Sequence, residues 1–221
     1  MITIYGVPIS VHVRKPVVTA LAKNIAHKVE PVIPFDPPAN WTALSPTGLI
    51  PAMQDGDFSI SESSAICAYL ERKEPKPAIL PADTRDYSRV MFWDGYAGWM
   101  FRSLVQGLFF QKVINPAIFK GKTDESVVDN LLSQQRPKIF GYLESQMNGK
   151  FLVGSELSLA DIGIVSNLIN YHYLSFGIDR GEYPKLAKYE EGILSLPAFR
   201  KALEAEAPAA EQLGLDRKLL S

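Results

Sequence analysis

The chain has 221 residues, 47% of them apolar and 21% charged, with a formal net charge of −1. That is enough for one large or two modest domains with a full core, and it excludes the basic field by which proteins hold nucleic acid. Apolar runs fall short of the about 18 residues a membrane span needs, the N-terminal Met-Ile-Thr-Ile-Tyr lacks a secretory layout, and the single cysteine, Cys67, excludes an intrachain disulfide, a CxxC pair and a cysteine zinc cluster. His12, His27 and His172 are too scattered to suggest a metal site by spacing, so a metal-free cytoplasmic protein is expected.

Ile2 to Tyr5 alternates like a strand, and a helix is expected over roughly 12–24, where Pro16 is tolerable because the first turn needs no intrahelical N–H partners. Val29 to Ile33 reads as a second strand, and Pro34 to Pro46, with four prolines, as an irregular loop. Two short strand patterns flank Asp55-Gly56, a hairpin signal, and a third helix begins near Ser63. The order β-α-β-loop-β-β-α predicts a small mixed sheet with helices packed on it. Glu74 to Pro81, with three prolines, reads as a linker. Beyond it only helical periodicity remains, over about 84–114, 123–147, 158–174, 184–195 and 197–206. The expected domains are therefore 1–79 and 85–221.

Two helix starts in the second half carry structural signatures. Ser158-Leu-Ala-Asp161 has the shape of a capping box, with Leu157 and Ile162 as its hydrophobic staple, and Thr123 is expected to cap the next acidic run. Gly121-Lys122-Thr123 imitates the end of a phosphate loop, but Pro116 stands where the earlier glycine belongs and no strand precedes it. Nucleotide binding is excluded there.

Three stretches can carry chemistry. Pro51 stands at the mouth of a strand. A trans bond is the commoner state, whereas a cis Ile50-Pro51 bond would turn the Ile50 N–H and C=O outward for an extended peptide to pair with. In Ser61-Glu62-Ser63-Ser64, a helix N-terminus offers orphan N–H groups to a carboxylate. Ser63 can add a hydroxyl and Glu62 can accept from an ammonium, although Ser61 or Ser63 can equally be a plain cap. Ser10, in Tyr5-Gly-Val-Pro-Ile-Ser-Val-His-Val-Arg-Lys15, stands ahead of the first helix as an N-cap or as a donor to a bound anion.

Together with Ser-Pro-Thr-Gly-Leu-Ile-Pro-Ala-Met and the later Phe-Leu-Val-Gly…Ser-Leu-Ala-Asp-Ile, these stretches resemble the glutathione S-transferase superfamily, in its order and over nearly the whole chain. The resemblance is to serine-type members, bacterial and delta/theta-like. It implies an α/β thioredoxin-like N-terminal domain plus an all-α helical C-terminal domain, commonly a homodimer, with a role in detoxification. It implies a cis Ile50-Pro51 bond, pairing of glutathione's cysteinyl backbone with Ile50, the γ-glutamyl end at Glu62 and Ser63, and Ser10 as the catalytic serine. Glutathione is then a co-substrate and no further cofactor is implied.

The expected partners are glutathione and a small hydrophobic electrophile, with no nucleic acid and no membrane. The electrophile pocket is expected between the domains, at Val11, His12, Trp99, Arg102 and Phe110, with most other aromatics of the 91–110 stretch in the core. His12 otherwise reads as a solvent-facing helix-start residue and Cys67 as a buried small hydrophobe. The chain departs from the family pattern between Phe35 and Ile50, where no Lys, Arg or His is available for the glycine carboxylate of glutathione. Arg14, Lys15 or a partner subunit would have to compensate. That gap leaves open a non-catalytic dimeric scaffold, and the same site could serve a glutathione-dependent isomerase or peroxidase.

Overall fold

The computed structural model of the protein describes residues 1–218; the last three residues of the expected second domain lie outside the described residues. A four-stranded sheet has the order β2-β1-β3-β4. β1 (Ile2–Tyr5) lies parallel to β2 (His27–Glu30) and antiparallel to β3 (Ala52–Asp55), which turns through Gly56 (φ +63°) into β4 (Phe58–Ser61). Gly56 supplies the left-handed residue this two-residue connection needs. The second strand lies earlier than Val29–Ile33 because its register is set against β1 and because Pro31, without an N–H, cannot extend the ladder. Val32 instead joins a small satellite core with Trp41 and Ala52.

The proline-rich loop is also less irregular than expected. It holds a one-turn helix, α2 (Trp41–Leu44), whose buried Trp41 donates from Nε1 to the Gly48 carbonyl at 3.0 Å. This pins the chain two residues before Ile50.

α1 (Val11–Ala22) and α3 (Ser63–Lys73) pack on the sheet. Pro16 falls at the sixth helical position, past the first turn, so the His12 carbonyl loses its helical donor. The following segment is no loose tether. Buried Lys23 bonds the carbonyls of Glu74 (2.7 Å) and Pro77 (2.6 Å) and pairs with Glu71 at 2.6 Å.

The second half is helical among the described residues. A continuous run comprises α4 (Thr84–Met100), α5 (Gln106–Phe109) and α6 (Asn115–Ala117), joined by π-helical turns at Phe101–Val105 and Phe110–Ile114. α7 (Glu125–Asn130), a π turn and α8 (Arg136–Gln146) return alongside it. α7 is capped by Asp124, which accepts from Ser126 N and Val127 N; Thr123 instead donates to the Gln111 carbonyl, so the expected cap is displaced by one residue. α9 (Leu159–Tyr173) is buried all round except at His172, as suits the central helix of a bundle. α10 (Pro184–Leu194) and α11 (Pro197–Gln212) close the fold. Asp161 is structural: its carboxylate accepts from Ser158 N, Leu152 N and the Tyr189 hydroxyl, at 2.9, 2.8 and 2.9 Å.

α1 joins the halves. Arg14, 1% exposed, sets its guanidinium against Glu206 of α11 (2.8 and 2.6 Å), the Ser166 carbonyl and Asn170 Oδ1 of α9 (both 2.8 Å), and the Ile9 carbonyl (3.2 Å). Burying one such charge alone is costly, so removing either partner strands the other. Arg14→Met or Glu206→Leu alone should lower the free energy of unfolding by about 3–5 kcal/mol, and the double replacement by less than the sum. Urea denaturation checks this; additive single effects below about 1 kcal/mol would mean the pair is not the clamp.

Candidate active site

Ser10 is the N-cap residue of α1, in an extended conformation (φ −69°, ψ 131°), and its hydroxyl makes no capping bond. Its loop is tied at both ends: Ser10 N donates to Val7 O at 3.0 Å, and Arg14 holds the Ile9 carbonyl. A glycine brings this loop against the next element. A Cβ on Gly6 (φ +146°) would meet Val13 Cγ2 at 2.5 Å and Ile50 Cβ at 3.1 Å. Only glycine permits that approach, and Ile50 thereby sits against the start of α1.

The Ile50-Pro51 bond is cis. Among the described residues neither the N–H nor the C=O of Ile50 has a hydrogen-bond partner, which leaves a short unpaired backbone edge next to Gly6, on the loop that leads to Ser10. Glu62 N donates to Pro51 O at 3.3 Å, extending the β3–β4 pairing by one step and joining this edge directly to the start of α3. The two stretches are therefore direct neighbours.

α3 is capped by Glu62, not by Ser61 or Ser63. Glu62 takes a positive φ (82°), unusual for a residue with a side chain, and its Oε2 accepts from Ser64 N (3.0 Å) and Ala65 N (3.1 Å). Two of the orphan N–H groups expected for a ligand carboxylate are thus taken by the chain's own carboxylate. Buried Ser63 donates from its hydroxyl to Glu62 Oε1 at 3.2 Å.

Behind this wall lies a second ion pair. Lys15 Nζ meets Asp94 Oδ1 of α4 at 2.6 Å and Ser64 Oγ at 2.9 Å, while Ser64 donates to Asp94 Oδ2 at 2.6 Å. Arg14 and Lys15 are both buried and fully engaged, so neither can replace the missing cation of the 35–50 loop.

The expected pocket residues separate. Val11 is only 2% exposed and belongs to the core rather than to a pocket wall. Trp99 packs at a tilt against Tyr96 in a strip with Phe92, Trp93 and Tyr142. It points away from Phe101, since two residues advance about 200° around a helix. His12 is half-buried, not solvent-facing, with its ring edge-on to Phe101 at 4.5 Å. Burial, then the charge of Lys15, pushes its pKa down to about 4; Glu62 opposes and Arg102 adds to this.

Phe110 ends a chain of ring contacts that includes two aromatic residues the sequence did not single out. Phe119 lies 6.2 Å from Phe110, and Phe35 of the proline-rich loop lies 5.5 Å from Phe119. All three are 40–54% exposed, an unusual state for a contacting aromatic trio. The two π turns of the long helical run begin at Phe101 and Phe110, the residues that turn toward α1 and toward this trio; such turns rotate the residues beyond them. The one thiol of the chain, Cys67, is buried and raised to about 12, which makes it inert as a nucleophile.

The family model for the glutathione S-transferase N-terminal domain matches residues 4–78, and that for the C-terminal domain of the same family matches residues 109–206. The zeta-class glutathione S-transferase of Euphorbia esula is 32% identical over 75% of this chain and 72% of that protein. A glutathione S-transferase of Triticum aestivum is 29% identical over 94% of this chain and 95% of its own length. A solved glutathione S-transferase-I bound with lactoylglutathione superposes with a TM-score of 0.80 at 25% identity, covering 92% of this chain and 98% of the other.

With its folded-state pKa below the ordinary 6.5, His12 stays neutral where the unfolded chain takes up a proton. Its contribution to stability is therefore present above about pH 6.5 and is lost as the pH falls toward 4. The imidazole resonances of His12 should titrate with a midpoint below pH 5, and His12→Gln should flatten the fall in stability across that window. A midpoint near 6.5 would contradict the geometry.

Proposed function

The chain belongs to the glutathione S-transferase superfamily and is a glutathione transferase; from that premise we propose that it activates the glutathione thiol as thiolate for addition to small hydrophobic electrophiles. Residues 1–79 are the glutathione-binding domain, and the helical domain from residue 85 carries the electrophile pocket. The observation that carries this reading is the uncommitted Ser10 hydroxyl on a loop that Gly6 brings against Ile50, whose unpaired backbone edge is joined through Pro51 to the start of α3.

A thiol of pKa about 8.5 is mostly protonated at neutral pH. Ser10 is no general base at its own pKa, but its O–H can donate to the sulfur anion. A hydrogen bond to a charged group contributes roughly 1.5–3 kcal/mol, which at about 1.4 kcal/mol per unit lowers the thiol pKa by about one to two units. The start of α1 adds a partial positive charge. Neutral His12, edge-on to Phe101, adds no cation there and lines the apolar side.

The γ-glutamyl end of glutathione carries an ammonium and a carboxylate, and Glu62 with Ser63 suits both. If the Ser63 hydroxyl turns its proton from Glu62 Oε1 to the ligand carboxylate, Glu62 Oε1 is released to accept from the ammonium. His12, Arg102 and Phe110 with Phe35 and Phe119 are the electrophile wall in this reading, which favours planar aromatic substrates because exposed rings can stack on them. The exposed strip of Phe92, Trp99 and Tyr142 on the far face supports a homodimer. In a chain of this kind the reaction is cytoplasmic.

The missing cation between Phe35 and Ile50 favours a second reading, a dimeric scaffold on the same fold, and turnover separates the two. Glutathione should bind with a dissociation constant in the micromolar range or weaker, since one lost charge-assisted bond costs about tenfold or more. Ser10→Ala should leave that constant nearly unchanged while raising the bound thiol's pKa by about one to two units, read by ultraviolet titration, and slowing turnover of a chloronitrobenzene electrophile. No turnover by the native chain would favour the scaffold, and an unaltered pKa and rate in Ser10→Ala would reduce Ser10 to a helix-start residue. Sedimentation at micromolar concentration should give about 49 kDa, twice the 24.5 kDa of one chain, and a clean monomer would remove the dimer.

A further inference from the structure

We infer that the thiol co-substrate this chain prefers is a glutathione whose glycine carboxyl is capped as an amide, best of all with an alkylammonium arm beyond the amide. This rests on the reading of the Ser10 site as glutathione-binding and names the form of the peptide that the site fits. With the γ-glutamyl end at Glu62 and Ser63 and the cysteinyl backbone on Ile50, the direction of the peptide is set. Glu62 N is joined to Pro51 O on one side of Ile50, so the next residue of an extended peptide, about 3.3–3.6 Å further on, lies over Leu49 and Gly48 on the other. The proline-rich loop closes round this point, since Val32 and Trp41 pack with Ile50 in the satellite core.

The loop residues there hold no cation, and their nearest donors are spent. Gly48 N donates to Ser45 O (2.8 Å) and Leu49 N to Thr47 Oγ1 (3.3 Å). The Trp41 indole is on Gly48 O and the Ser45 hydroxyl is on Leu49 O at 2.6 Å. Pro37, Pro38 and Pro46 have no N–H to give. Arg14 and Lys15 are locked in their buried ion pairs, and Lys120, next in the chain to the Phe119 that touches this loop, donates to Ala117 O at 2.7 Å. The one charged residue from 35 to 50 is an acid, Asp36, exposed and, among the described residues, with no ion pair. A glycine carboxylate would give up water here without a cation to meet it, beside a like charge. An amide carries no charge, and its N–H can donate to the carbonyls of Gly48 and Leu49, each of which keeps a lone pair. Asn40, Thr42 and Thr47 serve an amide as readily as a carboxylate. An alkylammonium arm adds two matches: methylenes against the exposed Phe35 and Phe119 rings, and a cation for Asp36.

Three probes are titrated calorimetrically into the full chain: glutathione, the propylamide of its glycine carboxyl, and the corresponding 3-aminopropylamide. The propylamide should bind about tenfold more tightly than glutathione, and the aminopropylamide a further about threefold, a gain that added salt erases. In chloronitrobenzene turnover the same order should appear in KM for the thiol, with kcat little changed, because the cap is remote from the sulfur. Asp36→Asn should close the gap between the two amides. Leu49→Lys, at a position 65% exposed, puts a cation where the glycine carboxylate would lie and should tighten glutathione about tenfold while leaving the propylamide unaltered. Glutathione binding as tightly as its propylamide, or a gap between the amides that survives Asp36→Asn, overturns this inference and leaves thiol activation at Ser10 standing. No binding of any of the three up to about 1 mM overturns both.

Discussion

The Arg14 guanidinium is the contact on which the arrangement of the site depends. It is a charge in the interior, so the fold must surround it with acceptors, and it finds them on three segments at once: the Ile9 carbonyl ahead of Ser10, the Ser166 and Asn170 oxygens of α9, and the Glu206 carboxylate of α11. Such a pair adds little net stability compared with well-packed apolar groups, because desolvation offsets the attraction. What it does supply is a requirement of position: α1 cannot shift against α9 and α11 without leaving a buried charge unpaired. The loop bearing Ser10 is thus referenced to the helical half of the chain.

Lys15 repeats the device one residue on and toward the opposite side. Its ammonium and the Asp94 carboxylate share the Ser64 hydroxyl, so the first turn of α3 is fastened to α1 and α4 together. The strained backbone of Glu62 is held from behind by this network and from the front by its own caps on Ser64 and Ala65. Ser10, the Ile50 edge and the α3 start come from three separate stretches. Two buried ion pairs and the close approach at Gly6 keep them within one site.

The helical half contributes shape where the sheet half contributes polar groups. The π turns at Phe101–Val105 and Phe110–Ile114 rotate the long helix, so that Phe101 faces His12 and Phe110 faces Phe119 while the α4 strip of Phe92, Tyr96 and Trp99 turns the other way. One helix therefore presents two aromatic surfaces, one to the cleft and one outward.

Much of this was legible in the residues taken in order, because local chemistry decides it: alternation in Ile2–Tyr5, the Asp55-Gly56 turn, the capping box at Ser158–Asp161 and the proline-rich break after Glu74. Ser10, Ile50, Pro51, Glu62 and Ser63 could be singled out for the same reason, since a helix start or a strand-mouth proline declares itself within a few residues. Tertiary structure alone decided what each side chain does there. Whether Glu62 or a serine caps α3 depends on the positive φ of Glu62, with its N–H on Pro51 O and its neighbour Ser64 held by Asp94. Whether Arg14 and Lys15 are free cations or buried clamps depends on Glu206 and Asp94, 192 and 79 residues away. In sequence His12 fits a pocket wall or an exposed helix start equally, because nothing near it in the chain covers it, and Trp99 and Val11 fit pocket walls, because their direction depends on how the long helix rotates and on which face of α1 is buried. Phe35 and Phe119 carry no local signal. They matter only because folding brings a proline-rich loop against a helix end more than 70 residues further along the chain, a distance that no short-range pattern can span.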